Sequence, residues 1–460
     1  ADVDNYNTAV GYAAGGDVTT GVENTIIGAL AGDALTDADY NVAVGYRTLT
    51  SDTLGSRSTA LGYAALAAQN FTTATDNYNT AVGFHAGNVI STGTHNTLIG
   101  GLAGDAITTG VSNNAVGYGA LGATTTANQN NAFGRNSLGA NTTGADNTAF
   151  GQNTLGTNIL GSRSTAVGSD ALATQNYGTA TNAYNTAVGY AAGTAVTTGQ
   201  VNTLVGGLSG DALTTGGENT AIGYKTLSAN TAGFYNTAIG SRALSDDTTG
   251  AKNTGVGYQA LSTMNFTTAT DSYNTAVGYN AGSLITTATY STIVGGDAGD
   301  AITTGANNTI MGGKAGSGLT TGSNNVAFGY NALNADDLGS KSTAIGAQAL
   351  LTQNYSTATD SNNTAVGYHA GLSITTGIQN TLVGGLAGDA LTDADYNVAI
   401  GVTALGGDTL GSRSTAIGYS ALVNQNFTTA TDTYNTAVGY EAGTAITTGL
   451  GNTLVGGLAG

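Results

Sequence analysis

The chain has no cysteine, no proline and no tryptophan. Without cysteine no disulfide can staple it, so any extracellular fold it adopts rests on a continuous core. Without proline every backbone N–H is free to join a ladder, which suits a chain made of strands. Charge is also scarce. Only 8% of the 460 residues are charged, and Glu, Lys and Gln are too few for a helical protein. Bases are the scarcest, 10 against 28 acids, and the resulting net charge of −18 opposes binding to nucleic acid or to anionic lipid. No apolar run approaches the length of a membrane-spanning helix, and no segment reads as a signal peptide. The three histidines, His85, His95 and His369, fall in no Ser/His/Asp or zinc-type constellation. No glycine run continues into Gly-Lys-Ser/Thr, so no phosphate loop is present. Catalysis is therefore not expected.

What the chain has in abundance is glycine, 73 residues or about twice ordinary usage, together with repetition. Asn-Thr-Ala-Val-Gly-Tyr-Ala-Ala-Gly at residues 7–15 returns unchanged at 185 and with one or two letters changed at 79, 274, 363 and 435. With the Asn of Asn-Thr-Ala-Val-Gly as anchor, anchors at Asn7, Asn24, Asn41, Ser58, Asn79 and onward to Asn452 recur every 17 residues. Five steps are 21 residues long, starting at Ser58, Ser164, Asn253, Ser342 and Ser414. The chain thus reads as 26 copies of one unit. It is a single array over 1–460, with super-units ending in long coils at 58–78, 164–184, 253–273, 342–362 and 414–434. Residue 1 falls inside a long step and residue 460 falls mid-unit, so the array is expected to be a window on a longer one.

Read by column, the unit becomes physical. Position +4 after the anchor is always Gly, as in Gly11, Gly28, Gly45, Gly62 and Gly83, which suits a corner that bends or lets backbones approach. Position +3 is always a large apolar residue, as in Val10, Ile27, Val44, Leu61 and Val82, which are assigned to the core. Thr-x-Val alternates like a half-buried strand. An Ala-Leu pair follows, and Thr-Thr-Gly closes the turn. Seventeen residues are too few for a β-α-β crossover. They fit one coil of an all-β solenoid, a β-roll or β-helix of about 26 stacked coils with periodic 21-residue coils. Stacked at strand spacing, that array makes a rod of roughly 120 Å. Each coil buries its neighbour's apolar side and closes its hydrogen bonds, with the Val/Ile column as seam and Leu opposite. The anchor Asn is expected to form a side-chain ladder.

Tandem Asn-Thr-Ala-x-Gly-Tyr-x-Ala-Leu units with Thr-Thr-Gly spacers resemble the repeat shafts of phage tail-fibre-like and bacterial surface fibre proteins. More loosely, they are similar to the head repeats of trimeric autotransporter adhesins, which form a left-handed β-roll. The resemblance spans the whole chain. It implies an extracellular location, on a cell or virion surface, and a homotrimer.

Beyond scaffold, the long steps draw attention. Each carries an aromatic residue, Phe71, Tyr177, Phe266, Tyr355 or Phe427, in a Thr-rich insertion that should bulge from one corner. The ring either contacts a sugar or a neighbouring fibre, or folds back over the adjacent coil. Asn70, Asn265, Asn354 and Asn426 fit the N-glycosylation pattern. A base precedes the anchor of each long step: Arg57, Arg163, Lys252, Lys341 and Arg413. It faces an acid of the bulge, Asp76, Asp271, Asp360 or Asp432, with Asn182 breaking the series, or else a neighbouring chain. Asp33, Asp37 and Asp39, repeated as Asp389, Asp393 and Asp395, are candidate calcium ligands or solvated turn acids. Of 23 Tyr, twelve follow the corner Gly and nine precede an anchor, which places them at a core edge or a chain–chain interface.

The leading functional expectation is a structural extracellular fibre or filament shaft that self-associates, as a trimer or a filament bundle, with no cofactor. The alternative is an adhesin or receptor-binding tail-fibre shaft that meets a surface glycan through its bulges. A third reading is an ice-binding solenoid, which needs a flat Thr array.

Overall fold

The computed structural model describes residues 4–460. Among the described residues there is no helix, and so none long and apolar enough to cross a membrane. There are 26 strands of three residues, one per repeat, and ten strands of two. The chain divides into two compact units, Ala1–Ala232 and Gly233–Gly460, each carrying thirteen of the three-residue strands. Each unit is a parallel β-solenoid of 17-residue coils. Strands one coil apart pair in parallel and in register: Thr8 with Thr25, Ala9 with Ile26, Val10 with Ile27, and Val42 with Thr59, Ala43 with Ala60, Val44 with Leu61.

One coil follows a simple path. Positions +1 to +3 form the strand. Gly at +4 then takes φ between +121° and +143°, which L side chains avoid. Its N–H reaches the preceding coil, Gly28 N to Val10 O at 2.8 Å, while Thr8 N reaches forward to Asn24 O at 2.8 Å. Three further corners use left-handed residues, at −1, +6 and +8, such as Tyr40 (φ 61°), Arg47 (φ 57°) and Leu49 (φ 49°). Proline cannot adopt a positive φ. Its absence from the chain therefore follows from corner geometry as well as from the ladders.

The core differs from the sequence expectation by one residue. Position +2 faces inward, with Ile26 only 1% exposed and Ala43, Ala60 and Ala81 buried. Val10, Ile27 and Leu61 are 58%, 39% and 44% exposed, and Val44 and Val82 are only half-buried. The Val/Ile column does line up in one row, but on the outer face. Successive strand residues point to opposite sides, so with +2 inside, +3 faces out. The Leu of Ala-Leu at +8 does pack inside, as expected, with Leu49, Leu66 and Leu121 fully buried.

Three main combinations fill this thin core. Twelve coils pair Ala at +2 with Leu at +8, and six, such as the Asn79 and Asn185 coils, pair Ala at +2 with Gly at +8. Where +2 is large, as in Ile26, Leu98, Leu204, Ile293, Ile310 and Leu382, position +8 is Gly. The exclusion is steric: a Cβ on Gly104 would sit 2.8 Å from Leu98 Cδ2 and 2.8 Å from Ile107 Cδ1. Position +11 completes the packing, apolar as in Ile90 and Ile107 where +8 is Gly, and Asp, Asn, Gln, Thr or Met where +8 is Leu.

Candidate functional site

The anchors build the ladder the sequence implies. Asn24 N donates to Asn7 Oδ1 at 2.8 Å and Asn41 N to Asn24 Oδ1 at 3.0 Å, and most anchor amides also donate to a carbonyl of their own coil, as Asn24 Nδ2 does to Ala38 O at 2.7 Å. Buried amides with both ends satisfied hold the corner.

The long coils that open on Ser interrupt this ladder and repair it with a second network. The break needs Ser at the anchor, since in the equally long Asn253 coil Asn274 N still donates to Asn253 Oδ1 at 3.0 Å. After Ser58, Asn77 Oδ1 takes over, accepting from Asn79 N at 2.9 Å and from Ser58 Oγ at 2.8 Å. Gln69 Nε2 donates to Ser58 Oγ at 2.8 Å and to Asp52 Oδ2 at 2.5 Å, while its Oε1 accepts from Asn79 Nδ2 at 2.9 Å. The arrangement recurs at Asp336–Gln353–Ser342 and at Asp408–Gln425–Ser414. In the Ser164 coil Asn158 replaces the acid, and in the Asn253 coil Met264 replaces Gln. Sequence reading placed acids on solvated turns and did not single out these buried ones. The signal was there: a Gln 17 residues after the acid, three times in five.

For the bulge aromatics the structure takes the second of the two alternatives, the ring folded back, and not the surface contact. Phe71, Tyr177, Phe266, Tyr355 and Phe427 are all buried. The ring folds back over the preceding coil: a Cβ on Gly55 would lie 2.8 Å from Phe71 Cδ2, and one on Gly161 2.9 Å from Tyr177 Cδ2. Tyr177 and Tyr355 donate their hydroxyls to Gly199 O and Gly377 O at 2.7 and 2.8 Å, and burial pushes the Tyr177 phenol up to about 12. At 5–7% exposure the five rings present no surface for a sugar or a second fibre to stack on. Thr72 and Thr73 stay exposed, and two-residue strands such as Gly55–Ser56 and Thr75–Asp76 tie the bulge down.

The bases pair as the spacing implies. Arg57 Nε lies 3.0 Å from Asp76, Lys252 Nζ 2.7 Å from Asp271, Lys341 Nζ 2.6 Å from Asp360 and Arg413 Nε 3.0 Å from Asp432. Arg163, facing Asn182, turns instead to Asp146 at 3.6 Å. Arg57 also lies over the Tyr40 ring at 4.7 Å, and Arg413 over Tyr396 at 4.8 Å. These pairs are exposed and screened, so they set the bulge's position more than its stability.

Among the described residues, five of the six calcium candidates, all but Asp389, are engaged by a donor of the neighbouring coil. Thr50 Oγ1 donates to Asp33, Thr20 Oγ1 to Asp37 and Thr376 Oγ1 to Asp393, all at 2.6 Å. Val22 N and Ile378 N donate to Asp39 and Asp395 at 2.8 Å. Among the described residues no three acids, histidines or cysteines converge.

Buried Asp336 makes stability depend on pH. It is fully buried with no cation beside it, and desolvation raises its carboxyl to about 6. Asp52 is raised in the same direction, also by burial. The folded state therefore holds a proton that the unfolded chain releases near pH 4. Stability should rise as pH falls from about 7 through 6 towards 4, by about 2 kcal/mol for Asp336. Urea midpoints measured across that range check it. Asp336→Asn should fold, since Asn158 already fills this column, and should flatten its share of the slope. An unchanged slope contradicts the assignment.

Two surfaces remain. Positions +1 and +3 of every strand face outward and carry Thr, Val, Ile, Asn, Leu, Phe or Met, without one charged residue. Beside them, exposed rings at +5 stack along the coils: Tyr46 on Tyr63 at 5.5 Å, Tyr63 on Phe84 at 5.4 Å, Tyr258 on Tyr279 at 5.3 Å. No family model matches this chain, and no curated protein matches it.

Proposed function

We propose that the chain is the shaft of an extracellular or surface fibre, in which stacked coils supply length and stiffness and the outward strand face packs against other copies of the chain. One observation carries this reading. In every strand a large apolar residue at +3 stands at least partly exposed in an uncharged row, as Ile99, Val188 and Ile222 do in one unit. Contiguous apolar surface of that extent marks an interaction site in soluble proteins. A second copy fits it better than an unrelated partner does, because only another solenoid presents rungs at the same spacing. The resemblance to trimeric surface fibres favours three chains. The stacked tyrosines border this face and extend it. No step of the reading requires catalysis or a cofactor.

Light scattering on the purified chain tests it. The expected result is a trimer or a larger bundle, with Val188→Asp/Ile222→Asp reducing it to monomer while the β-type circular dichroism persists. A wild-type chain that stays monomeric at high micromolar concentration overturns the reading.

The same face favours a second reading. Thr165, Thr186, Thr203 and Thr220 stand in register on it, a regular Thr row beside a β-branched row. Such a row could order water, as an ice-binding surface does. Thermal hysteresis in the wild type, lost in Thr186→Tyr/Thr203→Tyr, would support it; no hysteresis removes it.

A further inference from the structure

A different face of the coil, formed by positions +6 and +9, carries a groove. In the first unit the groove has a volume of about 620 Å³ and runs across five coils, from Leu102 and Asp105 to Asp170 and Thr174. Its floor is Gly122, Gly139 and Gly156, consecutive residues of the +9 column. None of the three has a positive φ, so the backbone does not require glycine there. The same column holds Asp33, Thr50, Ser262 and Leu372 in other coils. Three successive coils therefore omit a side chain that the fold accepts elsewhere. One wall is a ladder of polar side chains at +6, Asn136, Asn153 and Asp170, with Asn153 Nδ2 3.3 Å from Asp170 Oδ1. Thr157 and Thr174 lie on the other side, and the exposed ring of Tyr118 closes one end with Leu102.

An independent observation concerns the same two columns. Five side-chain polar atoms in the described structure are fully covered yet have no hydrogen-bond partner. Four of them are acceptors in these columns: Asn280 Oδ1 and Asn331 Oδ1 at +6, Asp211 Oδ1 and Asp300 Oδ1 at +9. In the second unit Asp300 and Asn331 line a comparable groove of about 520 Å³ with Asp297, Lys314 and Tyr330. Covered acceptors without donors are costly. Asp300 and Asn331 belong to the second groove, and Asp211 and Asn280 to neither. These atoms mark the two columns as short of donors and are not themselves the ligand contacts.

We propose that the +6/+9 face binds a neutral linear polysaccharide, with its principal site in the Gly122–Gly139–Gly156 groove. The chemistry matches on three counts. Sugar hydroxyls donate to amide and carboxylate oxygens, here set one per coil. The C–H faces of pyranose rings pack on Gly, Ala and Leu surface and stack on Tyr118. A pyranose chain also advances by about the same distance per residue as one coil does. Asp105 and Asp170 at the two ends, on a chain of net charge −18, disfavour an acidic glycan.

Native affinity electrophoresis tests this on the full chain. The gels contain hydroxyethylcellulose, laminarin, mannan or dextran, with alginate as the acidic comparison. Retardation by at least one neutral polymer is expected, and Gly139→Leu/Gly156→Leu should weaken it about ten-fold or more. Leucine already stands in this column at 351 and 372, so the variant should fold, and its circular dichroism checks that. Tyr118→Ala/Asn153→Ala, on the surface, gives a second route to the same loss. No retardation in any neutral gel, retardation that both variants retain, or equal retardation by alginate overturns the proposal.

Discussion

Gly117→Ala should break the solenoid locally at a cost on the order of 4 kcal/mol, near the top of what single substitutions do. Two effects combine. Gly117 sits at φ +135°, where an L side chain is strained by about 1–3 kcal/mol. Its added Cβ would stand 2.6 Å from the carbonyl oxygen of Gly134 and 2.7 Å from its carbon. Both atoms belong to the backbone of the next coil, so no rotamer change relieves the contact and the two coils must part. They cannot part without losing Gly134 N to Val116 O, a 2.8 Å bond of the ladder. Since each coil contacts mainly its neighbours, the damage should stay local. Amide hydrogen exchange should accelerate from about the Asn96 coil to the Asn147 coil and remain slow towards Asn24. Gly122→Ala, five residues away with an ordinary φ and its nearest new contact at 3.2 Å, is the control and should be close to neutral. Wild-type exchange in Gly117→Ala would mean that the corner tolerates a Cβ, and the reason for an unbroken glycine column would be lost.

That column is also why so much of the fold could be read from the letters. A repeat with a fixed glycine and a fixed Asn specifies which residues become neighbours, and the parallel register, the Asn ladder and the Arg57–Asp76 type of pair all follow from subtraction. The face each strand residue takes does not follow. Val10 and Ile27 are more apolar than Ala9 and Ala43, so hydrophobicity alone puts them inside. Alternation decides otherwise: +1 and +3 share one face of the strand and +2 takes the other, and the coil closes on the +2 side. The clue lay along the chain: a large residue at +2 always comes with Gly at +8, whereas a large residue at +3 comes with either. The bulge rings were legible only as alternatives. What folds Phe71 inward is the bare surface of Gly55 beneath it, a glycine that looked like part of a turn. The candidate groove was not legible at all, since Gly122, Gly139 and Gly156 stand out only once the +9 column is known to line a face.

The exclusion between +2 and +8 can itself be measured. Leu98 is fully buried between Gly87 and Gly104, and its Cδ1 and Cδ2 occupy the space that a leucine at +8 fills in the Asn113 coil. Leu98→Ala should therefore cost about 3–4 kcal/mol, the transfer term plus a cavity that rigid neighbouring coils cannot collapse. Adding Gly104→Leu should return at most part of that loss, because the new side chain enters the vacated space but its Cβ still meets Ile107 Cδ1 at 2.8 Å. Its φ of +55° matches that of Leu121 at +54°, so the backbone is already the one that +8 leucines use. Recovery should stop short of wild type, since Gly87 on the other side keeps its share of the cavity. In the wild-type background Gly104→Leu alone should destabilise by overpacking against Leu98 and Ile107. The two single changes and their combination form a cycle, with a coupling of about 2 kcal/mol or more expected for side chains that compete for one volume. Denaturant midpoints of the four proteins give the coupling directly. Additive losses would show that the two positions do not share space, and that the alternation of coil types follows something other than packing.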